Sequence, residues 1–120
     1  VEAQLANKAN VGKLIENPPL QNGWTYHQVF AEQKSYFFRL DGFIMGQLSI
    51  SNDTEVSSYQ NVLVIPEGFR PRNKIYLDAH EYETSNRYSF AAYSGAGAFQ
   101  NNSIVPADKI IIIDFFWLAS

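Results

Sequence analysis

From Leu20 onward the chain nowhere spaces its apolar residues at the helical period of 3.6. It is cut instead into short runs of strand length, each bounded by turn-forming residues. The runs cover 24–32, 35–45, 47–51, 60–65, 74–82, 87–93, 96–100 and 109–118. The punctuation between them is "DG" (41–42), "SNDTE" (51–55), "PEG" (66–68), "TSN" (84–86), "SGAG" (94–97) and "QNNS" (100–103). A chain patterned this way has few ways to bury its apolar side chains other than an antiparallel sandwich or barrel. The 15% aromatic content, nearly all Phe and Tyr, favours the same solution. A length of 120 residues suits one domain.

Only the first stretch, "VEAQLANKANVGKLI" (1–15), has a helical composition, with Val1 and Leu5 on one face. Gly12 weakens its end and "NPP" (17–19) stops it. An isolated helix shorter than about 12–15 residues is marginal in water. The expectation is therefore a short helical neck over 1–19, the end of a longer coil or a frayed terminus, leading into a β head over 20–120. The start at Val1 is expected to lie inside a longer protein.

Two strands carry most of the information. In "KIYLDAHEY" the odd positions Ile75, Leu77 and Ala79 are apolar, whereas Lys74, Tyr76, Asp78, His80 and Tyr82 fall at the even positions. Side chains alternate across a strand, so the first set is expected to face the core and the second to line the opposite face. The terminal "KIIIIDFFWL" is apolar at both parities. A strand of that kind needs cover on both faces, and in a small domain a neighbouring subunit is the natural second cover. Its one charge, Asp114, is expected to find Arg39, Lys34 or a backbone donor, or to lie at a surface edge.

Several function classes lack support. A formal net charge of −3 gives no nucleic-acid footprint, and no apolar run reaches the length of a membrane-spanning helix. The absence of cysteine removes thiolate metal sites and cysteine nucleophiles. His27 and His80 stand far apart, and "SNDTE" lacks the glycine and spacing of an EF-hand loop. No GxSxG elbow accompanies the serines. "YSGAGAFQ" (93–100) has no Lys-Ser/Thr of a phosphate loop. Glu81 and Glu83 carry no mark of burial or of a cleft. Neither a catalytic residue nor a cofactor is expected.

Binding has more to work with. Asp78, His80 and Tyr82 recur at every second position of one strand, and Arg87 and Tyr88 follow across the "TSN" turn. Aromatic faces stack on the C–H surfaces of sugars, while Asp, His and Arg bond their hydroxyls. An alternative is purely architectural: Tyr76 and Tyr82 cap a sheet surface, and Asp78 pairs with Lys74 or Arg87.

The order of motifs adds a resemblance. "LQNGW" (20–24), "FFRLDGFIMGQ" (37–47), "VLVIPEGFRPRNKIYL" (62–77) and a last strand ending in "FFW" occur in succession. This resembles the C-terminal heads of receptor-binding, tail-fibre or baseplate proteins of tailed phages of Gram-positive bacteria, of the lactococcal siphophage kind. "IPEGFRP" is similar to the "LPEGYRP"-like turn of that family. The resemblance covers about 20–118 and implies a homotrimeric β-sandwich or barrel head in the virion tail tip. Its expected partners are host cell-wall saccharide and, through the neck, other baseplate proteins. A family saccharide site of His, Asp, Arg and Trp would be represented here by Asp78, His80 and Arg87, with Trp24 or Trp117, or Tyr82 or Tyr88, as the aromatic. The family's glycine-rich loop is replaced by "SISNDTEVSSYQN". Two other readings remain: a structural subunit that binds only virion proteins, and a small glycan depolymerase. The proline turn is expected to position rather than react. Pro66 fixes φ, Gly68 permits φ above zero and Pro71 keeps Arg70 extended, so that the following strand is aimed.

Overall fold

The structure, a computed structural model, describes residues 12–27 and 34–120. Among these there is no helix. Nine strands follow one another: β1 (Lys13–Glu16), β2 (Trp24–Tyr26), β3 (Tyr36–Leu40), β4 (Phe43–Asn52), β5 (Gln60–Val64), β6 (Ile75–Glu81), β7 (Arg87–Ala92), β8 (Ala98–Asn101) and β9 (Ile111–Leu118). They pair antiparallel in the order β1-β3-β4-β9-β6-β7-β8-β5, with β2 added to β4. The sheet curls into a half-barrel. Its far sides are brought together where the amide of Gln21 donates to the carbonyl of Val62 (2.8 Å) and the Asn22 side chain to that of Asn61 (2.8 Å).

The all-β expectation therefore holds, with two corrections. Residues 13–16, placed in the helical neck from their composition, form an edge strand whose Leu14 lies opposite Phe38. Helix propensity is a weak prior, and a free edge on β3 outweighs it. The rest of the expected neck, 1–11, lies outside the described residues, as does 28–32 of the run begun at Trp24. The second correction is that 35–45 and 47–51 are not two runs split at Gly46. The reversal falls at Asp41 (φ 53°) and Gly42, and β4 then continues unbroken to Asn52. Gly46 is inside the strand because a Cβ there would come within 2.1 Å of the Tyr36 carbonyl oxygen and 2.4 Å of the Phe115 ring.

The concave side is filled by every second residue of the long central strands: Ile44, Leu48 and Ile50 from β4, and Ile111, Ile113, Phe115 and Trp117 from β9. Phe115 stacks on Trp117 and packs against Phe37 at 4.8 Å, while Phe90 and Phe99 close the other half. A bulge in β5 between Asn61 and Leu63 turns Val62 and Leu63 both inward.

The last strand alternates more than its composition implied. Asp114, Phe116 and Leu118 point outward, and of the even positions only Ile112, beside β6, is buried. Phe116 is 58% and Leu118 44% exposed. They continue rows of apolar residues across the convex side. Leu14, Phe38, Met45 and Phe116 lie opposite one another in turn, and so do Leu40, Phe43 and Leu118. Asp114 is exposed on the same face and accepts a hydrogen bond from Gln47 (2.7 Å). Of the cations expected to meet it, Arg39 is spent on the Asp41 and Gly68 carbonyls, and Lys34 lies 3.9 Å from Glu16.

Candidate functional site

The alternation of β6 is the one read from its residues: Leu77 and Ala79 are buried, while Tyr76 and Asp78 are exposed and His80 half-buried. β7 lies alongside with His80 opposite Arg87 and Asp78 opposite Ser89. Opposed residues share a face, so Tyr76, Asp78, His80, Arg87 and Ser89 stand on one convex surface. Three same-face positions of one strand span about 13 Å, which makes this a strip and not a point.

The charges on that strip are loosely held. Arg87 donates to Asp78 at 3.4 Å, and both side chains are mostly exposed. An exposed pair of this length contributes about 0–1 kcal/mol, so a ligand that bonds either partner displaces little. Next along the strand, Lys74 sits 4.6 Å from the ring centres of both Tyr76 and Tyr93. Contact with these two phenols raises its pKa and holds one face of Tyr76 against a cation, although that residue is 67% exposed.

Tyr82 and Tyr88 do not complete the strip in the expected manner. Tyr82 follows the end of β6, half-buried, and its amide donates to Ile110. Its phenol is pushed up by burial and by the neighbouring Glu83 carboxylate. Tyr88 lies opposite Ala79, on the concave side, and its hydroxyl donates to the Glu81 carboxylate at 2.9 Å. The period-two rule already required this, because Tyr88 directly follows Arg87. Trp24 and Trp117 are both buried, Trp24 edge-on to Phe90 and Trp117 donating to the Phe69 carbonyl at 2.9 Å. Neither can serve as a sugar platform, so Tyr76 is the aromatic available beside Asp78.

Glu81 corrects a second expectation, for it is buried at the concave end of β6. Burial would raise its carboxyl, but hydrogen bonds from Thr84, Tyr88 and Asn86 and the charge of Lys109 outweigh it and leave the pKa below the ordinary value. With these partners it holds the 82–86 turn against β7. Among the described residues no three His, Asp or Glu side chains gather as a metal site.

The proline turn does what its residues predict and more. Phe69 donates to the Pro66 carbonyl (3.0 Å) across Gly68, which has φ 91°. Arg39, from "RLDG", donates to the Gly68 carbonyl at 2.5 Å. Arg70 reaches the carbonyls of Ile65 (2.9 Å) and Gly95 (2.7 Å), and a Cβ on Gly97 would collide with its side chain. Motifs that lie apart in the chain thus meet at one end of the half-barrel, where they fix the approach to β6.

The chain matches no protein-family model, and a comparison with curated proteins finds no similar sequence.

Proposed function

We propose that this chain is a receptor-binding head of a phage tail, a non-enzymatic adhesin that attaches the virion to host cell-wall saccharide. The observation that carries the reading is the β6–β7 strip, where Asp78, His80 and Arg87 share one accessible face with an exposed Tyr76. Such a strip offers carboxylate, imidazole and guanidinium groups to hydroxyls, and an aromatic face to the sugar ring. The meeting of "RLDG", "IPEGFRP" and "FFW" at one end gives the order of motifs a mechanical reason. In this reading the head is a homotrimer, and its N-terminal segment joins other baseplate proteins. Individual contacts are weak, and copies on one tail act together through multivalency.

The test is adsorption. His80→Ala and Arg87→Ala should each reduce binding of the purified head to host cells up to about tenfold, the loss expected from one hydrogen bond of about 1.5 kcal/mol. Their thermal midpoints should stay within a degree or two of the parent. Normal adsorption by both variants would remove the strip from consideration.

A second reading is favoured by the convex apolar rows through Phe43, Met45, Phe116 and Leu118: a structural subunit that uses this face against other virion proteins. Adsorption distinguishes the two readings, since a structural subunit alone binds no host cell.

A further inference from the structure

The loop between β4 and β5 forms, with the turn before β2, an open groove of about 380 Å³ lined by Asn22, Thr54, Glu55, Val56, Ser57 and Gln60. Its backbone is tied on every side. Val56 and Val105 exchange both hydrogen bonds (2.8 and 3.0 Å), and Tyr59 donates to Asn101 (2.7 Å). The side chain of buried Asn101 in turn donates to the Ser57 carbonyl (2.7 Å). Buried Asn52 donates to the Asn22 carbonyl (2.9 Å) and accepts from the Thr54 amide and hydroxyl. A groove held this way loses little entropy when a ligand orders on it.

Its working groups, by contrast, are uncommitted. The Glu55 carboxylate, the Ser57 hydroxyl and the Gln60 side-chain amide have no hydrogen-bond partner or ion pair among the described residues, the Gln60 backbone N–H being given to the Asn101 side chain at 3.3 Å. Between Ser57 and Gln60 stands Tyr59, 67% exposed and held at φ 66°. A bulky residue in the left-handed region is an outlier that the surrounding structure must enforce. Here the enforcing bonds are those to Asn101, and the result is an exposed tyrosine directly before the groove-lining Gln60 in the chain, outside the lining itself.

We infer that this groove is a second saccharide subsite, selective for neutral sugars. The carboxylate accepts from vicinal hydroxyls, the amide and hydroxyl serve as donors or acceptors, and Tyr59 supplies the aromatic face. Among the described residues no cation lines the groove, and Glu55 gives its lining a negative charge. Phosphorylated or uronic sugars are therefore repelled here, while the β6–β7 strip with Arg87 accepts them. The inference shares the ligand class of the proposed function and none of its residues.

The experiment is amide chemical-shift mapping of the head with glucose and N-acetylglucosamine, and with glycerol 3-phosphate as the anionic probe. The neutral sugars should shift residues 22 and 54–60. Glu55→Ala with Gln60→Ala should weaken that binding at least about tenfold. Tyr59→Gly should weaken it about fivefold while leaving stability unchanged or higher, because glycine relieves the positive φ. Arg87→Ala should leave it intact. Neutral sugars that shift only the β6–β7 strip, or none of the chain, overturn the subsite, and so does preferred binding of glycerol 3-phosphate at 54–60. Adsorption lost through His80→Ala with a silent groove leaves the proposed function standing without this inference. Groove binding with normal adsorption of both strip variants keeps the subsite and removes the β6–β7 strip as the place of attachment.

Discussion

Glu81 and Tyr88 show how one inward-facing hydrogen bond couples stability to pH at both ends of the scale. The Glu81 carboxyl is held below its ordinary value, so the folded state gains from it above the unfolded pKa of about 4.3. That gain disappears as pH falls through the lower folded value. The Tyr88 phenol is raised by burial and by its bond to Glu81. Its contribution is complete below about pH 10 and is lost as pH rises through the folded value. Glu81→Gln should therefore flatten the acid limb of a plot of urea midpoint against pH and also move the alkaline limb, since Tyr88 loses its charged acceptor. An acid limb identical to the parent's would show that Glu81 is not the group that couples folding to low pH.

At the scale of elements, the clamp at residues 65–72 joins three other parts of the chain that share no local sequence. Trp117 donates to Phe69, Arg72 donates to the Ala119 carbonyl (3.3 Å), Arg70 bonds Gly95, and Arg39 bonds Gly68. The Trp117 bond is buried, so Trp117→Phe leaves the Phe69 carbonyl without its donor at a cost of about 1–3 kcal/mol. Arg70→Ala should cost less, about 1 kcal/mol, because part of its contact is exposed. It should still speed hydrogen exchange of the Ile65 amide, which donates to Gly97. Unchanged exchange at Ile65 in the Arg70 variant would mean that the loop at 93–97 is held by its backbone alone.

For the whole molecule the convex side of β1, β3, β4 and β9 is the outstanding feature. Phe43 and Phe116 stack at 5.7 Å on the surface, flanked by Leu14, Met45 and Leu118. Contiguous apolar patches above a few hundred Å² mark interaction sites, and β9 contributes directly to this one. The proposed trimer would bury it, with the outward residues of β9 near the axis. Sedimentation at micromolar concentration should give three protomers, and Phe116→Ser with Leu118→Ser should shift the equilibrium towards monomer without lowering the stability of the protomer. A parent chain that sediments as a monomer would end the trimer proposal. A trimer that survives both substitutions would place the contact elsewhere.

What the amino-acid sequence determined by itself was local. The turns at Asp41–Gly42 and Pro66–Gly68 follow from which residues tolerate positive or fixed φ, and the two faces of β6 follow from alternation along one segment. These constraints act within a few residues and need no partner. The tertiary structure decided which face of each strand is covered, and that depends on pairings such as Gln47 with Asp114, 67 positions apart. It made an edge strand of Lys13–Glu16, because β3 had a free edge there. It also turned Phe116 and Leu118 outward from a strand whose composition implied cover on both sides. Glu81 is buried because Tyr88, across the hairpin, carries a donor on the same concave face. Burial is a property of neighbours, and neighbours in a sheet are set by register rather than by adjacency along the chain.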